Sequence, residues 1–168
     1  TQYAIYNMNG ISIGGPRDET KFPHHIVIRN CKVHDFPGGG LSSIQADYTT
    51  FEGNTVYNNA WYMMYGGSGI SILTPFDVDA NSGYKNIVRN NVCYNNKTTI
   101  PWISQKRLID GNGIIIDVNL RPYNSTVTNK PYKGRTLVEN NVSYNNGGSG
   151  IHAFDAAHVD IINNTAYN

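Results

Sequence analysis

The sequence has few charged residues, only two cysteines and no long apolar run. Charged residues make up 15% of the 168 residues, and the formal net charge is +1. A nearly neutral domain without a recognisable nucleic-acid motif is not expected to bind nucleic acid. No apolar stretch approaches the roughly 20 residues of a transmembrane helix, and we find no signal peptide. We therefore predict a single domain over residues 1–168 with no nucleic-acid or membrane partner.

The sequence does contain an internal repeat that is rich in Asn, Gly and Tyr. Its first half has the pattern Asn-Asn-Val-x-Tyr-Asn-Asn, which is clearest at residues 90–96 and 140–146. Its second half has the pattern Gly-Ile-x-Ile, which is clearest at residues 10–13, 69–72 and 113–116. Aligned on the second Asn, the five copies lie at Cys31, Asn54, Asn91, Asn141 and Asn164. The steps between them are 23, 37, 50 and 23 residues.

The length of this repeat is typical of folds in which each unit buries its apolar face against its neighbours. Within a unit the apolar residues alternate, as in Ile70 and Ile72 or Ile114 and Ile116, which favours β-strands. Three short strands separated by Gly and Asn turns fill a unit of 23 residues. Over essentially the whole chain, the pattern resembles the right-handed parallel β-helix of the pectate-lyase-like superfamily. The predicted fold is all-β, with about five coils of about 23 residues and two long loop insertions.

Two columns of the repeat have a structural explanation. Asn adopts the left-handed backbone conformation readily, and its amide can bond its counterpart in the next coil, about 4.8 Å away. We therefore predict that Asn91 and Asn141 belong to a buried ladder and that the aromatic residues form a parallel stack. The predicted stack contains His34, Tyr57, Tyr94, Tyr144 and Tyr167. Because this explanation suffices, we do not assign the tyrosines to carbohydrate binding.

The cysteines and the chain ends add two expectations. Cys31 and Cys93 lie two coils apart in different columns, so their Cα atoms are expected about 10 Å apart, beyond the reach of a disulfide. We expect both to be reduced, buried residues. Neither end offers the cap that a solenoid needs. We therefore expect a segment of a longer protein, or a mature form whose caps lie elsewhere, with uncapped coils that can stack end to end.

The two longer steps add residues on both sides of one strand. The first insertion adds 14 residues within 61–89, and the second adds 27 within 97–135. Both flank the Gly-Ile-x-Ile strand, so this strand is predicted to form the floor of a groove and the insertions its walls. Insertions in a solenoid collect on the face that binds ligands. Their placement is the strongest functional indication in the sequence.

The floor is expected to display a group of titratable side chains. Alternation along the strands directs Ile115 and Asp117 outward from one coil and His152 outward from the next. Asp117 and His152 are then one diagonal step apart, roughly 7 Å. Asp155 is expected to turn toward Asp117 where its strand ends, while Asp110 enters from the preceding turn. The alternatives are turn chemistry for Asp110 and Asp117 and an ordinary surface position for His152.

The charge of the second insertion favours an anionic ligand. Residues 97–135 contain seven basic and two acidic residues, a local charge of +5 in a nearly neutral protein. We therefore predict an acidic uronate polysaccharide as the partner, and a protein that is secreted to the extracellular space or the periplasm. The predicted substrate-binding residues are Arg107, Arg121, Asn112, Trp61, Tyr65 and Tyr123. Packing of the loop bases is the alternative role for the aromatic residues.

The resemblance implies lyase, hydrolase or epimerase chemistry, so it does not fix the reaction. A lyase needs groups that neutralise the uronate carboxylate, a base for the C5 proton and a donor for the leaving oxygen. Arg107, Arg121 and Asn112 are the candidates for the first role. Lys106 or His152 is the candidate base, and Tyr65 or Tyr123 the candidate donor.

A hydrolase instead needs two carboxylates on either side of the scissile bond. Asp117 can supply them together with Asp155 or with Asp110. We favour β-elimination because cations are abundant, with hydrolysis as the alternative and a non-catalytic carbohydrate-binding solenoid as the third hypothesis.

No cofactor is predicted, with calcium as a less favoured exception. Residues 77–83 read Asp-x-Asp-x-Asn-x-Gly, which resembles a calcium loop with Asp77, Asp79 and Asn81 as ligands. The Gly and Glu positions of the EF-hand pattern are not matched. His24 and His25 are adjacent in a strand and are expected to point to opposite faces, so we predict no metal pair there.

Overall fold

The computed structural model describes residues 8–14, 22–120 and 131–168. Within these ranges the chain forms fifteen β-strands and no α-helix, and no helix long and apolar enough to cross a membrane was found in them. The candidate substrate-binding residues Arg121 and Tyr123 lie outside the described residues.

The strands form three parallel sheets, each with one strand from every coil. Sheet A contains β1 (Ile11–Gly14), β4 (Leu41–Ile44), β7 (Ile70–Leu73), β10 (Ile114–Asp117) and β13 (Ile151–Phe154). Sheet B contains β2 (His24–Arg29), β5 (Asp47–Glu52), β8 (Tyr84–Arg89), β11 (Arg135–Glu139) and β14 (Val159–Ile162). Sheet C contains β3 (Lys32–His34), β6 (Thr55–Tyr57), β9 (Val92–Tyr94), β12 (Val142–Tyr144) and β15 (Thr165–Tyr167). The architecture predicted from the repeat is confirmed.

The register of sheet A follows the Gly-Ile-x-Ile alignment. Ile11, Leu41, Ile70, Ile114 and Ile151 are successive Cα partners across the sheet. The predicted parallel stacking of the floor strands is therefore confirmed, strand by strand.

The core lies inside the coils, where alternate strand residues point inward. Ile70, Ile72, Ile114, Ile116 and Phe51 are fully buried in one apolar cluster. Burial of such a side chain stabilises the fold by roughly 1.5–3 kcal/mol. Because strand residues alternate, the next side chains in each strand face outward and are available for a site.

The Gly column of the repeat exists because the backbone turns tightly into sheet A. A Cβ on Gly40 would lie 2.7 Å from the carbonyl oxygen of Gly69, and one on Gly113 would lie 2.6 Å from that of Gly150. Real Cβ atoms essentially never approach backbone this closely. Only Gly, which has no Cβ, fits at these positions before the floor strands.

In each Asn pair of the repeat, one residue bends the backbone and the other forms the ladder, although we predicted both roles for a single residue. Asn90 and Asn140 have positive φ angles of 57° and 55°, whereas Asn91 and Asn141 carry the ladder. Assigning the left-handed conformation to the ladder position is therefore wrong: the preceding residue makes the turn. Two consecutive Asn residues suit these positions because one side chain lies inside and the preceding residue bends the backbone; Gly53 makes the same bend before Asn54, with a φ of 65°.

The predicted Asn ladder is confirmed. The side-chain amides of Asn54, Asn91 and Asn141 donate to the next Asn Oδ1 in turn, at 3.0, 3.0 and 2.9 Å, ending at Asn164. Asn91 also donates to the Phe51 carbonyl at 2.9 Å. Asn91 and Asn141 are fully buried or nearly so, and their polar groups are bonded.

A second ladder and the aromatic stack lie on either side of the turn after sheet C. Asn59 donates to Asn96 at 3.1 Å, and Asn96 donates to Asn146 at 3.0 Å. This second ladder was not predicted from the sequence. The predicted stack is present, with ring centroids 4.8 Å apart for Tyr57 and Tyr94 and nearly parallel planes. The remaining stacked pairs are His34–Tyr57, Tyr94–Tyr144 and Tyr144–Tyr167.

Both cysteines are free, as predicted. Cys93 is buried in the column between Val56 and Ser143. Cys31 is only partly buried, which differs from the expectation. It takes the Asn position of the first coil, where its backbone N–H donates to Asn54 Oδ1 at 3.0 Å.

Candidate functional site

The outward face of sheet A changes character between the third and fourth coils. One outward column reads Ser12, Ser42, Ser71, Ile115 and His152, and the next reads Gly14, Ile44, Leu73, Asp117 and Phe154. In the first coils the hydroxyls bond each other, as in the 2.8 Å bond from Ser42 to Ser12. His152 and Asp117 break both columns and bring titratable groups to the floor.

Asp117 lies in a poorly solvated position on this floor. Its cross-strand neighbours are the apolar residues Leu73 and Phe154. Its Oδ1 is buried and accepts no hydrogen bond within the described residues. Burial raises the pKa of Asp117 to about 6, and the charges of Asp110 and Asp155 add to the increase. Asp117 is therefore half protonated near pH 6, well above the range of an ordinary aspartate.

Asp110 reaches the same site from the turn before β10. It has a positive φ of 60°, and its carboxylate lies against Gly66, whose own φ is 81°. Burial raises the pKa of Asp110, and the charge of His152 acts in the opposite direction. The structure thus brings together the four residues that the sequence singles out for the floor, so that each carboxylate is within electrostatic reach of another member of the group.

Asp155 belongs to a column of left-handed residues that ends the floor strands. Gln45, Thr74, Val118 and Asp155 follow their strands with φ between 46° and 53°. Left-handed φ is uncommon outside Gly and is strained for a β-branched residue such as Val118. This bend lies next to Asp117 and turns the chain at Asp155 away from the strand direction. Nothing in the sequence pattern, which lacks Gly here, indicates it.

Asn112 holds the backbone of the next coil. It is only 3% exposed; its Oδ1 accepts from the Ser149 N–H at 2.8 Å, and its amide donates to Ser68 Oγ at 3.2 Å. Both ends of the amide are therefore used inside the protein. Asn112 therefore supports the backbone of the next coil, and we propose no substrate contact for it.

The two insertions meet and form one wall before the floor strands. The Ile103 N–H donates to the Met64 carbonyl at 2.9 Å, and Thr99 Oγ1 bonds the Trp61 carbonyl. Trp61 and Tyr65 are 44% and 49% exposed. Lys106 and Arg107, the described cations predicted for lyase chemistry, also lie exposed in this wall.

Two of the basic residues counted with the second insertion lie outside the groove wall. Arg135 lies in β11 of sheet B, where it forms an ion pair with Asp160 at 2.7 Å. Lys97 donates to Asn145 Oδ1 at 3.1 Å, next to sheet C. For these two residues the predicted contribution to a basic wall is wrong, because the chain passes through another sheet or turn there.

The position predicted for calcium holds a lysine. The Lys85 ammonium lies 2.8, 3.0 and 3.1 Å from carboxylate oxygens of Asp47, Asp77 and Asp79. Asn81, the third candidate ligand, uses its Oδ1 to accept from the Gly83 N–H. Within the described ranges, no group of three or more His, Cys, Asp or Glu residues has the arrangement of a metal site. The ammonium supplies the positive charge that a calcium ion would bring.

His24 and His25 contact each other, contrary to the expectation that they face opposite ways. Their Nδ1 atoms are 2.8 Å apart, because His25 has a positive φ of 57° and leaves the regular strand conformation. The His25 ring stacks on Tyr48 with the centroids 4.2 Å apart. The two histidines therefore join Tyr48 in a small aromatic cluster on β2 and β5 of sheet B.

The comparisons with known proteins agree with this architecture. A family model described as "Right handed beta helix region" matches residues 3–137. Searches of curated proteins and of solved structures each give no match. The family match covers well over half of the chain, and its description agrees with the three parallel sheets of the structure. The chain therefore belongs to the right-handed β-helix family.

Proposed function

We propose that this β-helix is a secreted, pectate-lyase-like carbohydrate-active protein that hydrolyses a glycosidic bond on the outward face of sheet A. The observation that supports this proposal is Asp117, a half-buried carboxyl with one buried oxygen, whose pKa is raised to about 6 beside Asp110 and Asp155. A carboxyl with a raised pKa next to a second carboxylate is the arrangement that glycosidases use as acid and base.

In the proposed reaction, the Asp117 carboxyl donates its proton to the glycosidic oxygen as the bond from that oxygen to the anomeric carbon breaks. Asp110 or Asp155 accepts a proton from the water that adds to the anomeric carbon. The proton released by water thus replaces the one that Asp117 gives up, after exchange with solvent. The charge of His152 favours the ionised form of Asp110, which is the form that accepts a proton.

Hydrolysis is favoured over the β-elimination expected from the sequence, because the charges near Asp117 are negative. A uronate carboxylate on this floor would meet the fields of Asp110 and Asp155, and elimination requires that carboxylate to be neutralised. β-Elimination remains the second candidate because Lys106 and Arg107 are exposed in the adjacent wall. A uronate polymer that contacts the wall rather than the floor would meet these cations first.

The test compares products and variants on neutral and acidic glycans. The expected result is new reducing ends without the ultraviolet absorbance of an unsaturated uronate. Asp117→Asn is expected to lower the rate by about 10²–10⁴-fold, the contribution of a general acid. Asp110→Asn and Asp155→Asn identify which carboxylate is the partner of Asp117. Asp35→Asn, a carboxylate beside His34 on the sheet C side, is the matched control and should leave the rate unchanged.

The same experiment distinguishes the rival hypotheses. Ultraviolet absorbance that survives Asp117→Asn and is lost in Lys106→Ala would favour β-elimination. Glycan binding without either product would favour a non-catalytic solenoid. As an acid, Asp117 must be protonated, so the rate of hydrolysis should fall as the pH rises through about 6.

A further inference from the structure

The wall built by the two insertions contains a small apolar pocket apart from the aspartates of the floor. It has a volume of about 330 Å³ and is lined by Met64, Pro101, Trp102, Ile103 and Lys106. Ligand pockets usually begin at about 300 Å³. The volume is therefore enough for one substituted ring but not for a chain of sugars.

Backbone hydrogen bonds fix the shape of this pocket. The Trp102 N–H donates to the Arg107 carbonyl at 2.9 Å, and the Lys106 N–H donates to the Trp102 carbonyl at 2.8 Å. Lys106 completes the turn with a φ of 55°. The Ile103 N–H joins this loop to Met64 of the first insertion at 2.9 Å. Both insertions are thus required to form the pocket, and these backbone hydrogen bonds hold it in shape before a ligand binds.

The chemistry of the lining is apolar with one positive charge. Ile103 remains 52% exposed although it is fully apolar, and the nearby Leu108 is 58% exposed. Within the described part of the chain, the Lys106 ammonium forms no ion pair. A flat apolar ligand would remove this surface from water, and an attached anion would pair with Lys106.

We propose that this pocket binds an aromatic ring that carries a carboxylate, attached as a substituent or aglycone to the glycan. Trp102, Ile103 and Met64 supply the apolar lining for such a ring, and the Lys106 ammonium would pair with the carboxylate. Only the attachment to a glycan rests on the proposed function; binding of the ring itself is measured without any reaction.

The test uses the two tryptophans of the chain. Trp61→Phe leaves Trp102 as the single tryptophan, which is excited selectively at wavelengths where tyrosine does not absorb. Benzoate is the probe, benzyl alcohol is the neutral ring, and acetate is the carboxylate without a ring. We expect saturable quenching by benzoate, weaker saturable quenching by benzyl alcohol, and no saturable effect of acetate. Calorimetric titration of the unmodified protein should give the same ranking if the Trp61→Phe variant folds poorly.

Two variants separate the charge from the apolar contact. Lys106→Met should weaken benzoate binding about two- to fivefold, the range for an exposed ion pair, and leave benzyl alcohol unchanged. Ile103→Ala should weaken both ring probes. Lys97→Met, whose ammonium bonds Asn145, is the control and should change neither.

The outcomes are distinct from those of the hydrolysis test. Asp117→Asn should abolish hydrolysis and leave benzoate binding intact, so either proposal can fail alone. Acetate binding as strong as benzoate binding, benzoate affinity unaffected by Lys106→Met, or no saturable response to benzoate would each overturn the assignment of this pocket.

Discussion

The molecule carries two groups of three aspartates, and the charges around them differ. Asp47, Asp77 and Asp79 surround the buried Lys85 ammonium, and the pKa of Asp79 is lowered, chiefly by its hydrogen bond from Tyr48. In the second group the charges acting on Asp117 are those of Asp110 and Asp155, and the pKa of Asp117 is raised. The two groups use the same residue type under opposite electrostatic conditions.

The difference separates a network that stabilises the loops from the carboxylates for which a reaction is proposed. Lys85 joins the first insertion to sheet B, and Tyr132 from the far end of the second insertion completes the network by donating to Asp47 at 2.6 Å. Every charge there has a partner, so the network fixes the loops. At the floor, Asp117 has a buried oxygen without a hydrogen bond. Such uncompensated groups are retained at sites where protons move.

Removing the lysine of the compensated group should have the largest effect. Lys85→Met leaves the carboxylates of Asp47 and its neighbours without their cation, which is expected to cost about 3–5 kcal/mol of unfolding free energy. Urea denaturation at neutral pH measures the loss. Lys133→Met, an exposed lysine of the same region, is the control. Equal stability of the two variants would show that the network contributes little.

Removing a buried neutral side chain should lower the free energy of unfolding by less than removing Lys85. The difference between the two variants reports the contribution of charge. Asn141→Leu deletes the donor to the Val88 carbonyl and to Asn164 Oδ1, and the acceptor of two hydrogen bonds from the backbone N–H and side-chain amide of Asn91. The expected loss is about 1–3 kcal/mol, from unpaired backbone groups. The melting temperature and urea midpoint measure it, with Gln105→Leu on the surface as the control. A neutral result would make the ladder irrelevant to stability.

Mutation of Asp117, in the group of aspartates without a cation, should raise the free energy of unfolding rather than lower it. Asp117→Asn removes a charge that is disfavoured by burial and by two carboxylates. The variant should therefore be more stable than the parent at pH 7, by about 1 kcal/mol, while it loses activity. The same denaturation assay measures this change. A destabilised Asp117→Asn variant would mean that the ionised carboxylate is held by a favourable contact.

Acidification should produce the smallest effect and should again separate the two groups. The folded-state pKa of Asp117 is about 6 against 3.8 for the ordinary group, so the folded state takes up a proton earlier. The destabilisation from Asp117 is fully present above about pH 6 and disappears as the pH falls toward 4. The stability difference between the parent and Asp117→Asn should shrink over that window.

Asp79 provides the matched comparison for the pH experiment. Its pKa is lowered, so its stabilising contribution is present above its ordinary pKa of 3.8 and is lost only as the pH falls below that value. Between about pH 7 and 4.5, Asp79→Asn should therefore keep a constant offset from the parent. An offset that varies in this range would contradict the assigned pKa direction.

The repeat made the fold predictable, because a residue in one coil recurs above and below itself. That is why the register of Ile70 with Ile114, the Asn91 ladder and the outward position of Asp117 all follow from arithmetic on the sequence. The loops have no period. The partner of Lys85, the left-handed bend at Val118 and the pocket beside Trp102 depend on how two insertions fold against each other, which spacing does not encode.

The Asn ladders also give the β-helix a net dipole along its axis. In both ladders the amide of one coil donates to the carbonyl of the next coil along the chain, from Asn54 to Asn91 and from Asn59 to Asn96. The side-chain dipoles therefore add, with the positive end toward the last coils. Asp117 and Asp155 belong to those coils, so the aspartates of the floor lie toward the positive end of the two ladders.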